Sequence, residues 1–231
     1  MPAILRVFPF LVFPICATAQ TVDWAEVMRE AEWDWRPGDL IFRNGLDDLD
    51  EMIRQAEGAN WSSVGILRTA SGDPRVVIVD RNEGVTERML YEYIDGLAPD
   101  EYAVYRIDAL DVNAPGKQME MGPVASFALL SAYGAPFDER RTFGNAAYYN
   151  AELPFEAAKK FGVLLGQPVK LRDLGAANSA LREKLLENWS DNRLCRHATS
   201  AEDCWNHMGA VAIITPGALI ASGAMRQVWP E

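Results

Sequence analysis

Between Gly38 and Ile107 the chain carries four short apolar runs, too short for helices and separated by turn signals, and this pattern constrains the fold more than any other feature. The runs are Leu40-Ile41-Phe42, Val64-Gly65-Ile66-Leu67, Val76-Val77-Ile78-Val79 and Tyr102-Ala103-Val104-Tyr105-Arg106-Ile107. Arg36-Pro37-Gly38-Asp39, Ser71-Gly72-Asp73-Pro74 and Asp95-Gly96 punctuate them. One helix is expected among them, because Leu46, Leu49, Ile53 and Ala56 recur at helical spacing. Acids such as those of Asp47-Asp48-Leu49-Asp50 fall on its other face, which reads as solvated.

After Ile107 the pattern turns helical. Met119 to Tyr133 is apolar enough for a buried helix, with Gly134 placed to cap it. In YYNAELPFEAAKKFG (residues 148–162), Leu153, Ala157, Phe161 and the following Leu164 fall on one face, and Glu156, Lys159 and Lys160 lie outside it. An amphipathic helix is expected from Leu181 to Trp189, and a last one starts at Thr215-Pro216. Strands gathered early and helices late predict an α+β fold, a small, mostly antiparallel sheet packed with helices.

The chain has 231 residues, enough for one domain with a sizeable core, and no repeat or long linker divides it. Its first nineteen residues, MPAILRVFPFLVFPICATA, have the layout of a secretory signal peptide: Arg6, then an apolar run to about Cys16, then Ala17-Thr18-Ala19 as cleavage site. The run falls short of the roughly 20 residues a spanning helix needs, and Pro9 and Pro14 weaken it as an anchor. A lipid on Cys16 is disfavoured because Phe13-Pro14-Ile15 lacks small residues. The expected mature protein is therefore a single domain over residues 20–231, exported to the periplasm or secreted, without stable membrane insertion. Its formal charge of −11 becomes −12 once Arg6 is removed, which argues against nucleic acid as a partner.

Removal of the leader leaves Cys195 and Cys204, an even pair in an oxidising compartment, so a short-loop disulfide is expected. The competing reading is a metal held by Cys195, His197, Cys204 and His207, a run containing every histidine of the chain, although its spacing matches no common zinc pattern.

Four segments in order resemble the YiiX-like family of permuted papain-fold hydrolases, relatives of the NlpC-type cell-wall peptidases. They are Gly38-Asp39-Leu40-Ile41-Phe42, Trp61-Ser62-Ser63-Val64-Gly65-Ile66, Val76-Val77-Ile78-Val79-Asp80 followed by Gly84-Val85, and Tyr148-Tyr149-Asn150-Ala151-Glu152-Leu153. The resemblance runs from Gly38 to about Pro216 and implies a permuted papain-like (NlpC-type) fold. It also implies a site in which a cysteine attacks, a histidine serves as its base and an acid orients the histidine. Those positions fall on Asn150, Ser63 and Asp80. No cofactor is implied.

A carboxamide has no ionisable proton at working pH and does not replace a thiolate, and a serine hydroxyl does not replace an imidazole as base. Asn150 suits a helix start for another reason: it is a strong N-cap. Ser63 reads as a small hydroxyl beside a strand, Asp80 as a turn residue, and Glu152 as an acid in a first helical turn. Trp61, Ser63, Asp80, Tyr149, Asn150 and Glu152, with Tyr148, are expected around one ligand site, the aromatics lining a groove or serving as core. Two functions follow. One is a non-catalytic homologue binding a peptide, cell-wall fragment or acylated ligand. The other is a hydrolase using Asp80, Ser63 and Asn150 in altered roles, or recruiting Cys195 or Cys204.

Overall fold

The computed structural model describes residues 33–70, 74–111 and 121–230. The expected leader, part of the turn at 71–73 and the start of the helix expected from Met119 lie outside the described residues.

Six strands form one antiparallel sheet in the order β4-β3-β2-β1-β5-β8: β1 (Leu40–Arg43), β2 (Ser63–Arg68), β3 (Arg75–Asp80), β4 (Gly84–Met89), β5 (Tyr102–Arg106) and β8 (Arg226–Trp229). Two-residue strands β6 (Val169–Lys170) and β7 (Ala212–Ile213) pair separately. The fold is α+β. Strand β1 is apolar from Leu40 to Phe42 because it lies inside the sheet with both faces covered, and only its last residue, Arg43, is polar. Leu40 and Phe42 join Val64, Ile66, Val77 and Val85 on the helical side. Ile41 joins Leu67, Val76, Leu90, Tyr93, Trp33 and Trp35 on the other.

Four strands fall where the apolar runs place them. β4 and β8 carry no such signal, because the edges of a sheet tolerate charge and GVTERM and RQVW are edge sequences. The β3–β4 turn depends on Gly84. Its φ is +73°, and a Cβ there would stand 2.1 Å from the carbonyl oxygen of Ala135, so the turn and the 134–136 backbone touch directly.

Helix α1 (Asp48–Glu57) is N-capped by Asp47, whose carboxylate accepts from the N–H groups of Leu49 and Asp50. The acidic run is not a uniformly solvated face. Asp48 is exposed and Asp47 half-buried, but Asp50 is buried. A short α2 (Leu90–Ile94) follows β4. Helix α3 (Gly122–Phe127) runs into a π-helical turn at Ala128–Ala132. Gly134 beyond it has left-handed geometry, but its N–H goes to the carbonyl of Val85 on β4.

Helix α4 (Glu152–Lys160) buries Leu153 and Ala157 as expected. It ends before Phe161, and Gly162 at φ +83° breaks the repeat, so Phe161 and Leu164 are exposed (46% and 58%) rather than packed. Helices α5 (Leu171–Ala177), α6 (Ser179–Leu186), α7 (Ala201–Met208) and α8 (Pro216–Ala221) complete the chain. The expected Leu181–Trp189 helix stops at Leu186, with Trp189 opening a 3-10 turn. The start at Thr215-Pro216 is as read, Thr215 capping the N–H of Ala218. Among the described residues no helix is long and apolar enough to cross a membrane.

Candidate functional site

Strands β2 and β3 part company. Their pairing holds at Ile66–Val77, Leu67–Val76 and Arg68–Arg75, while β3 continues to Asp80 paired only with β4, and β2 continues back to Ser63 paired only with β1. In an antiparallel strand successive residues turn their N–H and C=O groups to opposite edges. Leu67 turns both toward the β1 side, donating to Asp39 and accepting from Gly38. The N–H of Val64 and the C=O of Ser62 therefore face the edge that β3 has left.

Asn150 fills that edge. Its Oδ1 accepts from the Val64 N–H at 2.8 Å, and its Nδ2 donates to the Ser62 carbonyl at 2.8 Å and to Asp50 Oδ2 at 2.9 Å. The three partners fix the orientation of the amide, since only an oxygen can accept from Val64 and only the nitrogen can donate to a carbonyl and a carboxylate. The side chain thus takes the place of a peptide group in a neighbouring strand. This corrects the expectation of an N-cap: α4 is preceded at the cap position by Ala151, with no side-chain capping bond. Each of the three hydrogen bonds contributes about 0.5–1.5 kcal/mol, and leaving one of these buried backbone groups unpaired costs about 1–3 kcal/mol.

Behind Asn150 stands a buried ion pair. Asp50 Oδ1 accepts from Arg141 Nη2 at 2.6 Å, and the Arg141 guanidinium lies over the rings of Tyr149 and Phe137 at 5.2 and 5.9 Å. Arg141 has φ 53°, the one non-glycine residue at positive φ among the described residues. That conformation costs roughly 1–2 kcal/mol in a residue with a Cβ. Neither Asp50 nor Arg141 is marked by the sequence. Asp50 sits in an acidic run, and Arg141 in a loop without periodicity.

The gap between the strands opens as a cavity of about 620 Å³. Three expected site residues line it: Ser63, Asp80 and Asn150. Leu46, Val64, Ile78, Val79 and Phe137 supply apolar wall. Ser63 is buried, and its hydroxyl makes no hydrogen bond to a described residue. Asp80 is engaged elsewhere, its Oδ1 accepting from the N–H groups of Asn82 and Glu83 to form the β3–β4 turn. No hydrogen bond joins the side chains of Ser63, Asp80 and Asn150. Trp61, Tyr149 and Glu152 do not line the cavity. Trp61 packs against the main core, and Tyr149 is buried with its hydroxyl accepting from the Ile214 N–H at 2.8 Å. Tyr148 likewise serves as core, its ring edge-on to Phe127.

Glu152 is also buried, at 1% exposure, with the N–H of Tyr149 as its nearest donor at 3.4 Å. Burial pushes its carboxyl up to about 8, and the weak backbone hydrogen bond does not reverse this.

Cys195 and Cys204 are bonded to each other and buried in a separate cluster with Met208, away from the cavity lining. The bond takes up two of the four side chains in the competing metal reading of Cys195, His197, Cys204 and His207. Among the described residues no group of three or more His, Cys, Asp or Glu side chains is placed to hold an ion. His197 and His207 are exposed and neither lines the cavity.

No protein-family model and no curated protein matches the chain. Among solved structures it is similar to the crystal structure of metalloprotein yiiX from Escherichia coli O157:H7, DUF1105. The TM-score is 0.67 at 20% identity, over 86% of this chain and 100% of that one. The fold is YiiX-like. At this identity the likeness establishes the architecture and nothing about activity.

Proposed function

We propose that this chain is a non-catalytic binding protein on a YiiX-like, permuted papain-type scaffold. It takes a peptide, cell-wall fragment or acyl-amide ligand into the cavity between β2 and β3. The observation that carries this reading is the state of Asn150: its carboxamide oxygen and both N–H groups are committed to β2 and Asp50. An amide so committed is neither a nucleophile nor a free oxyanion donor, and no imidazole lines the cavity to act as base.

The alternative hydrolase reading loses support at each position it would use. Asp80 is taken up by its turn and Asn150 by the strand edge, and the two cysteines are joined and remote from the cavity. Ser63 alone is unengaged, and no hydrogen bond joins its hydroxyl to a base among the described residues. Export is part of the reading, and the Cys195–Cys204 disulfide is compatible with an oxidising compartment. The metal in the similar structure's description is not carried over, because the described residues offer no ligand set for one.

The test is to incubate the full chain with peptidoglycan fragments, acyl esters and model amides, following both its unfolding temperature and product formation. A ligand that raises the unfolding temperature without being consumed is the expected result. Sustained turnover, lost in Ser63→Ala or Asp80→Asn, would overturn the reading.

A further inference from the structure

Three guanidinium groups line the cavity, and they are not equivalent. Arg81 is held by Asp47 at 2.9 Å, and Arg88 by Glu83 at 3.0 Å. Arg43 has no carboxylate within ion-pair distance among the described residues. Its Nε donates to the carbonyl of Asn44 at 3.1 Å and its Nη1 to the carbonyl of Tyr93, and the group lies over the Tyr93 ring at 5.4 Å. These contacts fix its position without neutralising it, and leave Nη2 with no hydrogen bond to a described residue. The register of β1 and β2 pairs Arg43 with Ser63, so the two side chains are neighbours on one face of the sheet, at the cavity. An oriented cation with spare donors thus stands beside a hydroxyl with no partner, both lining the same space.

Resting on the binding reading above, we infer that Arg43 and Ser63 form the carboxylate-recognising end of the cavity, and that its ligand carries a free carboxylate next to an amide. A guanidinium fork suits a planar carboxylate, and the serine hydroxyl supplies a further donor. Asp47, Asp50, Asp80 and Glu92 also line the cavity and make it hostile to a dianion such as phosphate, so a single negative charge fits. Val64, Ile78, Val79 and Phe137 provide apolar surface for the rest of the molecule. The shared chemistry is that of an N-acylated amino acid or of the C-terminus of a short peptide.

The experiment is calorimetric titration of the full chain with two matched pairs: N-hexanoylglycine against its primary amide, and acetyl-dialanine against its C-terminal amide. The acid of at least one pair binds about tenfold or more tightly than its amide; which pair does so separates the acylated from the peptide source. Arg43→Gln abolishes the preference, Arg43→Lys keeps part of it, and Ser63→Ala weakens the acid severalfold. The acid–amide comparison needs no variant, and unliganded unfolding temperatures establish that the variants are folded. Equal binding of acid and amide overturns the carboxylate inference and leaves the binding reading standing. Acid-selective binding that Arg43→Gln leaves intact overturns the role of Arg43. No binding of any probe overturns this inference, and the panel of uncharged esters and amides above then decides separately whether the cavity binds at all.

Discussion

Two buried aspartate–arginine pairs hold this molecule, and they are built differently. At the start of β1, Asp39 receives Arg106 Nε and Nη2 on its two oxygens, each at 2.8 Å, and the backbone N–H of Arg36 at 2.7 Å. This two-pronged fork joins β1 to β5, with Arg106 Nη2 also donating to the Asp34 carbonyl at 2.6 Å. Beside the cavity, Asp50 gives one oxygen to Arg141 and the other to Asn150, whose remaining bonds run to β2. The second pair is therefore open-ended: a chain from loop to helix to helix start to strand edge, with a carboxamide as the link. The difference teaches that position 150 is a structural junction. A buried charge network is satisfied through it, so Asn150 ties α1 and, through Asp50, the Arg141 loop to the edge of β2.

The comparison can be broken at either pair. Arg106→Met leaves Asp39 buried without its cation and costs about 3–5 kcal/mol in chemical unfolding, with little change in ligand binding if the pair is remote from the site. Asn150→Ala leaves the Val64 N–H and Ser62 C=O unpaired and costs about 2–3 kcal/mol. Asn150→Cys is expected to cost a similar amount, because a thiol is a weak donor and acceptor and cannot span both groups. A loss below about 0.5 kcal/mol in either variant would mean that the amide is not a junction.

Glu152 differs again, as a buried acid without an ion pair among the described residues. Its folded carboxyl titrates near 8 against 4.5 for an ordinary glutamate. Between those values the unfolded chain ionises while the folded chain retains the proton, so this group lowers stability as pH rises from 4.5 to 8. Glu152→Gln should match the wild type near pH 4 and exceed it at pH 8, measured as unfolding midpoints across that window. A constant difference would contradict the assignment. The smallest effect is expected at the outer wall: Asp80→Asn keeps the Oδ1 acceptor of the turn and should stay within about 0.5 kcal/mol of wild type.

Much of the architecture is legible in the sequence because burial writes itself as apolar runs: β1, β2, β3, β5, the α1 face and the Thr215-Pro216 start are all found that way. The edge strands β4 and β8 are not, since an edge tolerates charge and GVTERM and RQVW read as loop. The end of α4 is misread for a different reason. The apolar spacing continues through Phe161 and Leu164 although Gly162 has already turned the chain. At the site, Ser63, Asp80 and Asn150 line one cavity, while Trp61 and Tyr149 take the core alternative left open by the sequence and Glu152 lies outside the lining. The partners of Asn150 were beyond reach. A strand that leaves its neighbour exposes backbone groups, and backbone groups carry no sequence signal. Arg43 was hidden likewise, being the polar end of a run read only for Leu40-Ile41-Phe42.

The cavity is proposed to hold a ligand without attacking it. The most direct test is peptide-mapped mass spectrometry of the native chain after exposure to an activated acyl ester. The peptides bearing Ser63, Asp80 and Asn150 are expected to stay unmodified, even if surface lysines react. A stoichiometric acyl group on Ser63, lost on unfolding the protein before exposure, would contradict it.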